Sequence, residues 1–213
     1  MKRKRLLAVA AGLLLAMCEG GPLALAAGET DTAIPPPQDV AYPGTLLLHV
    51  DASDVDHRVM QVEETLPVSP GPITLFYPRW LPGNHAPTGP IEALAGLRIT
   101  GLDGSPQGRA LEWRRDTIDM HAFHVTVPAG VAQLRMAFQF TTPIGAEQGR
   151  RVMTPDMLGL QWEKALLYPA GFHVKRITVQ PTLRLPEGWS HASALELAQR
   201  EGAELRFKPT TLE

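Results

Sequence analysis

Leu134-Arg-Met-Ala-Phe-Gln-Phe140 is the stretch on which the fold class turns. Leu134, Met136, Phe138 and Phe140 alternate with Arg135, Ala137 and Gln139. Successive side chains of a strand point to opposite faces, so this period of two puts the four apolar residues on one buried face. A helix would scatter them around its surface.

The same period recurs on both sides. Upstream, His121, Phe123, Val125 and Val127 share one face, with His124 and Thr126 on the other. Leu94–Leu102 reads as a strand closed by the turn signal Asp103-Gly104, and Ala110–Arg114 as a short one carrying Trp113. Thr45–Val50 and His57–Leu66 flank the turn cluster Asp51–Asp54 and pair as a hairpin; Ile73–Tyr77 follows Pro70-Gly-Pro72. Downstream, Thr142–Pro155 is polar and reads as a loop, and Met157–Tyr168 is ambiguous between strand and short helix. Val174–Leu185 alternates through Ile177, Val179, Leu183 and Leu185, with Pro181 arguing for an edge strand or a bulge. Ser193-Ala-Leu-Glu196 resembles a capping box and Gly202 a helix-ending residue, which predicts a short helix over Ala194–Glu201. Arg206–Lys208 is a last extended piece. Many short strands broken by Gly/Pro turns make the chain all-β, a β-sandwich or curved antiparallel sheet with at most one or two short helices.

One loop stands out. Phe76-Tyr-Pro-Arg-Trp-Leu-Pro-Gly-Asn-His-Ala-Pro-Thr-Gly-Pro90 holds four prolines and two glycines. Prolines fix φ, so the loop is stiff and loses little entropy on ordering. Tyr77 and Trp80 are large enough to anchor it to the domain body. It reads either as a structural corner, with Trp80 in the core and His85 capping a turn, or as the rim of a binding cleft formed by Tyr77, Trp80, Asn84 and His85.

The N-terminus predicts export to the periplasm or the medium. Met1-Lys-Arg-Lys-Arg5 is followed by an apolar run to Cys18, too short to span a bilayer. Ala24-Leu25-Ala26 offers a cleavage site, so residues 1–26 read as a signal peptide. The alternative is a lipoprotein acylated at Cys18, but Met17 is not the small residue such sites want. Residues 27–44 read as a loosely attached linker containing Pro35-Pro36-Pro37, and residues 45–213 as the β domain. Cleavage leaves 16 Lys+Arg against 21 Asp+Glu, no cysteine and no concentrated basic face. Nucleic-acid binding is disfavoured, no membrane contact is expected after cleavage, and thiol catalysis is excluded.

The seven histidines give no metal motif. His121 and His124 are three apart on a strand and point to opposite faces. There is no His-Glu-x-x-His, no Gly-x-Ser-x-Gly elbow and no phosphate loop. Asp116 and Asp119 read as solvated turn carboxylates rather than an acid/base pair. The residues alone indicate a non-catalytic exported β domain, with no cofactor or metal site.

Tyr77-Pro-Arg-Trp-Leu-Pro-Gly-Asn-His-Ala-Pro-Thr-Gly-Pro-Ile91 resembles the signature loop of the N-terminal domain in the glycyl aminopeptidase family, bacterial zinc metallopeptidases that usually end in a PDZ domain. Collinear with it are Leu111-Glu-Trp-Arg-Arg-Asp116, Phe123-His-Val-Thr-Val-Pro128, Met153-Thr-Pro-Asp-Met-Leu158, Leu167-Tyr-Pro-Ala-Gly171 and Leu185-Pro-Glu-Gly-Trp189. The resemblance covers about Tyr42–Glu213. It implies a saddle-like β domain that precedes a thermolysin-like catalytic domain, in which zinc is expected. No zinc ligand or catalytic residue carries over to this chain, which lacks that domain and is expected to be inactive alone. The expected partners are the catalytic and PDZ domains, against which the β domain would shape the substrate cleft. The alternative is a free-standing periplasmic module that binds peptide or glycan. A domain built to dock should expose apolar surface, here expected from Leu47, Met60 and Met157–Trp162, and its end after Gly202 should be weakly held.

Overall fold

A computed structural model describes residues 33–142 and 152–213. The predicted signal peptide, the first part of the linker and most of the Thr142–Pro155 loop lie outside these residues.

The hairpin predicted at the start of the domain forms. β1 (Thr45–Asp51) pairs antiparallel with β2 (Val59–Pro67), Val50 opposite Val62. β2 pairs with β8 (Gln133–Thr141), the strand that decided the fold class. β8 pairs in turn with β4 (Leu94–Leu102), and β4 with β5 (Arg109–Leu111). On the other side of β1 lies β12 (Thr178–Arg184), in the one parallel pairing among the described strands. β14 (Glu204–Phe207) and β13 (Leu197–Glu201) complete this nine-stranded sheet, with β15 (Thr210–Thr211) also on β12. Its inner face carries Leu46, Leu48, Val50, Met60, Val62, Leu66 and the four apolar residues of β8.

A second, four-stranded antiparallel sheet contributes to the same core. Its order is β11 (Tyr168–Pro169), β3 (Gly71–Phe76), β7 (Ala122–Val127) and β6 (Trp113–Arg115). Leu75, Phe123, Val125 and Val127 join the core cluster of the large sheet. A small hairpin, β9 (Val152–Met153) with β10 (Leu158–Gly159), forms a sheet of its own, with Met153 buried in the common core. The described helical pieces are three-residue 3-10 turns at Ile91–Ala93, Trp162–Lys164 and Val174–Arg176.

Four expectations are corrected. Pro181 is buried inside the sheet rather than at its edge: β14 covers Thr182–Arg184 and β15 covers Thr178–Val179, so the residue without an N–H falls in the gap between them. The helix expected over Ala194–Glu201 is a loop and strand β13; Ser193 Oγ accepts the Leu195 N–H only as a local turn. The segment from Gln38 is held, not loose. Gln38 N–H donates to Gly171 O, Tyr42 N–H to Arg176 O, and Tyr42 is buried in the core. The C-terminal stretch is likewise tied down, with Leu205 and Phe207 in the core and Leu212 N–H donating to Ile177 O. In both end segments, cross-strand pairing supplied the anchor that local sequence does not reveal.

Glu64 is fully buried on the inner face of β2. Its Oε1 accepts the Leu167 N–H at 2.7 Å, and Oε2 has no partner among the described residues. Desolvation pushes this carboxyl well above its ordinary range.

Candidate functional site

The proline-rich loop leaves β3 at Tyr77 and returns at Pro90. Tyr77 is the anchor that was expected. It is buried, its N–H donates to His121 O, and its hydroxyl donates to Lys164 O at 2.8 Å. Trp80 is not an anchor: it is 66% exposed, and Leu81 is the side chain that turns inward. The expectation failed because aromatic size favours burial on average but does not say which way a turn residue points.

Backbone packing shapes the rest of the loop. Gly89 N–H donates to Arg79 O at 2.9 Å, drawing the two limbs together. A Cβ on Gly89 would sit 1.8 Å from the Pro78 carbonyl oxygen, so only glycine fits. Asn84 is exposed, and its side-chain amide donates to Thr88 Oγ1 at 2.8 Å. His85 is exposed at the tip. The loop therefore brings Trp80, Asn84 and His85 to one exposed hairpin, while Tyr77 sits beneath it; a stacking platform built on Tyr77 and Trp80 together does not form.

The loop is clamped to the turn between β6 and β7. The Arg79 guanidinium pairs with the Asp119 carboxylate, and the His121 ring lies 6.2 Å from that of Tyr77. On either side of Asp119, Ile118 is 86% and Met120 57% exposed. Three large apolar side chains thus stand out to solvent from two segments joined by an ion pair. Of the surface expected to be apolar, Leu47 and Met157 are exposed, but Met60 is buried. The period-two register puts Met60 on the inner face of β2 with Val62, and Val59 is the half-buried neighbour.

Asp116 departs from its reading as a solvated carboxylate. It is buried, and Oδ1 accepts the N–H groups of Ile118 and Asp119 at 2.8 and 2.7 Å. Oδ2 accepts from His124 Nε2 at 2.7 Å, and His124 Nδ1 then accepts the Thr74 hydroxyl at 3.0 Å. The Asp119 N–H, His124 and the Ile118 N–H together hold the Asp116 carboxyl down at about 2. Thr74 and His124 are direct cross-strand partners in β3 and β7. Hydroxyl, imidazole and carboxylate stand in the order of a hydrolase triad. Here all three are buried, so no substrate reaches the hydroxyl, and the chain of bonds pins the β6–β7 turn to the sheet. The polar face of β7 signalled His124, but its partners, 8 and 50 residues away, were not readable.

A groove of about 590 Å³ opens on other elements of the domain. Leu183 and Phe207 of the large sheet line it, together with Leu185 just past β12, Met157–Trp162 and the segment from Trp189 to Leu195. Among the described residues, no group of three or more His, Cys, Asp or Glu is placed to hold a metal ion.

Solved structures resemble this chain to different degrees. An aminopeptidase N family protein from Idiomarina loihiensis superposes with a TM-score of 0.60 at 14% identity, over 76% of this chain and 27% of that one. An M1 zinc metallopeptidase from Deinococcus radiodurans gives 0.37 at 15% identity, over 82% and 39%. Yeast LTA4 hydrolase in complex with bestatin gives 0.43 at 11% identity, over 82% and 27%. The chain thus spans well under half the length of these structures. No curated protein matched. The Peptidase M61 N-terminal domain profile matches residues 47–213, nearly the whole β domain with its proline-rich loop, and the chain accordingly belongs to that family as its N-terminal domain.

Proposed function

We propose that this domain packs on the zinc-bearing catalytic domain of an M61-type peptidase and walls off one side of its substrate cleft. In this reading the domain is exported to the periplasm, does no chemistry itself, and restricts the site to chain ends. The observation that supports it is the exposed trio Trp80, Ile118 and Met120, held in place by the Arg79–Asp119 ion pair on a stiff loop. Large exposed apolar side chains on a pre-ordered frame are the usual anchors of an interface, because their burial gains area at little entropic cost. Asn84 and His85 at the loop tip would then face the cleft.

The test combines activity and association. The purified chain with aminoacyl substrates and added zinc should show no turnover; chelator-sensitive hydrolysis would sink the reading. An M61 catalytic domain from the same genome should bind the chain, and Trp80→Ser with Ile118→Ser should weaken that binding at least about tenfold. Unchanged binding would remove this face from the interface.

A further inference from the structure

We propose that the groove walled by Met157, Trp162, Trp189 and Leu195 is a peptide-binding site, taking a large apolar side chain followed by Lys or Arg. It lies on other elements than the proline-rich loop and does not depend on the docking face proposed there. Three observations carry it.

The first is shape. At about 590 Å³ the groove falls in the range of ligand sites, and it is large enough for a bulky side chain with its neighbouring backbone. The second is the lining. Phe207 forms the floor, with the rings of Trp162 and His191 edge-on to it at 5.6 and 6.2 Å. Leu158, Leu160 and Leu195 in the lining favour an aliphatic or aromatic side chain over the flat face of a sugar. The third is charge. Asp156 and Glu163 line the groove, and no Lys or Arg does. The nearby cations already have partners: Lys208 pairs with Glu196, Arg200 donates to Trp189 O and Gly202 O, and buried Lys164 donates to Gln161 Oε1, while Gln161 Nε2 donates to one oxygen of Glu163. A cation arriving beside the apolar side chain therefore meets two carboxylates and the electron-rich faces of aromatic rings.

The test uses the whole chain and three peptides, each acetylated and amidated so that chain-end recognition plays no part. They carry Phe-Lys, Phe-Glu or Gly-Lys between glycines. Binding is read by calorimetry and by the emission of Trp162 and Trp189. The Phe-Lys peptide is expected to bind, with Phe-Glu and Gly-Lys each weaker by about fivefold or more. The double variant Asp156→Asn/Glu163→Gln is expected to bring Phe-Lys down to the level of Phe-Glu and to abolish its salt dependence. Both side chains sit at the groove surface, and the variant's far-ultraviolet spectrum checks that it is folded. No binding of Phe-Lys, equal binding of all three peptides, indifference to the double variant, or binding of a neutral oligosaccharide in place of the peptides overturns the proposal.

Discussion

Replacing Glu64 by Gln should remove the loss of stability that this carboxyl imposes as pH rises above 4.5. Glu64 is fully buried, its Oε1 takes the Leu167 N–H, and its Oε2 has no partner among the described residues. Burial raises its folded-state pKa above the ordinary 4.5. The sign follows from proton counting. Above pH 4.5 the unfolded chain releases this proton while the folded protein keeps it. Stability is therefore fullest below 4.5 and falls as pH rises from there toward the folded-state value. Within that window each pH unit costs about 1.4 kcal/mol. Glu64→Gln keeps the acceptor for Leu167 and cannot ionise. Its amide brings N–H donors into the place of Oε2, at a cost of about 1–3 kcal/mol. Urea unfolding followed by tryptophan fluorescence should then show the variant less stable near pH 4 and gaining on the native protein with each step toward neutral. A difference between the two proteins that stays constant from pH 4.5 to 7 would refute the argument. It would mean that the carboxyl is solvated or paired in solution.

Other expectations follow from the same contacts. Asp116 shows the opposite limb: its folded-state pKa is lowered from 3.8 to about 2, so its stabilisation is complete above 3.8 and lost as pH falls toward 2. Asp116→Asn should flatten acid unfolding in that window, read by circular dichroism. Gly89→Ala drives a Cβ into the Pro78 carbonyl and should destabilise by more than about 1 kcal/mol, with faster proteolysis inside residues 77–90. Tyr77→Phe removes the bond to Lys164 O and should cost about 1 kcal/mol in urea unfolding. Trp80→Ser, by contrast, should change stability by less than about 0.5 kcal/mol, because the ring is mostly solvated already.

The sequence by itself determined most of the strands and the family. Leu134–Phe140 alternates with a period of two, and only a strand buries that pattern on one face. The loop from Tyr77 to Pro90 is rigid by composition, whatever surrounds it. What residues bring to a strand or a turn is local, and the chain states it directly. Only the tertiary structure decided the rest. Pro181 sits inside a sheet because two separate strands, β14 and β15, stop short of it on either side. The end segments are held because Tyr42 and Phe207 find places in a core assembled from distant strands. Trp80 faces solvent while Leu81 turns in. Asp116 is buried because β7 delivers His124 to it and β3 delivers Thr74 to the other side of that ring. Most of these depend on partners tens of residues away, and pairing at that range is set by the folded sheets rather than by any pattern written along the chain.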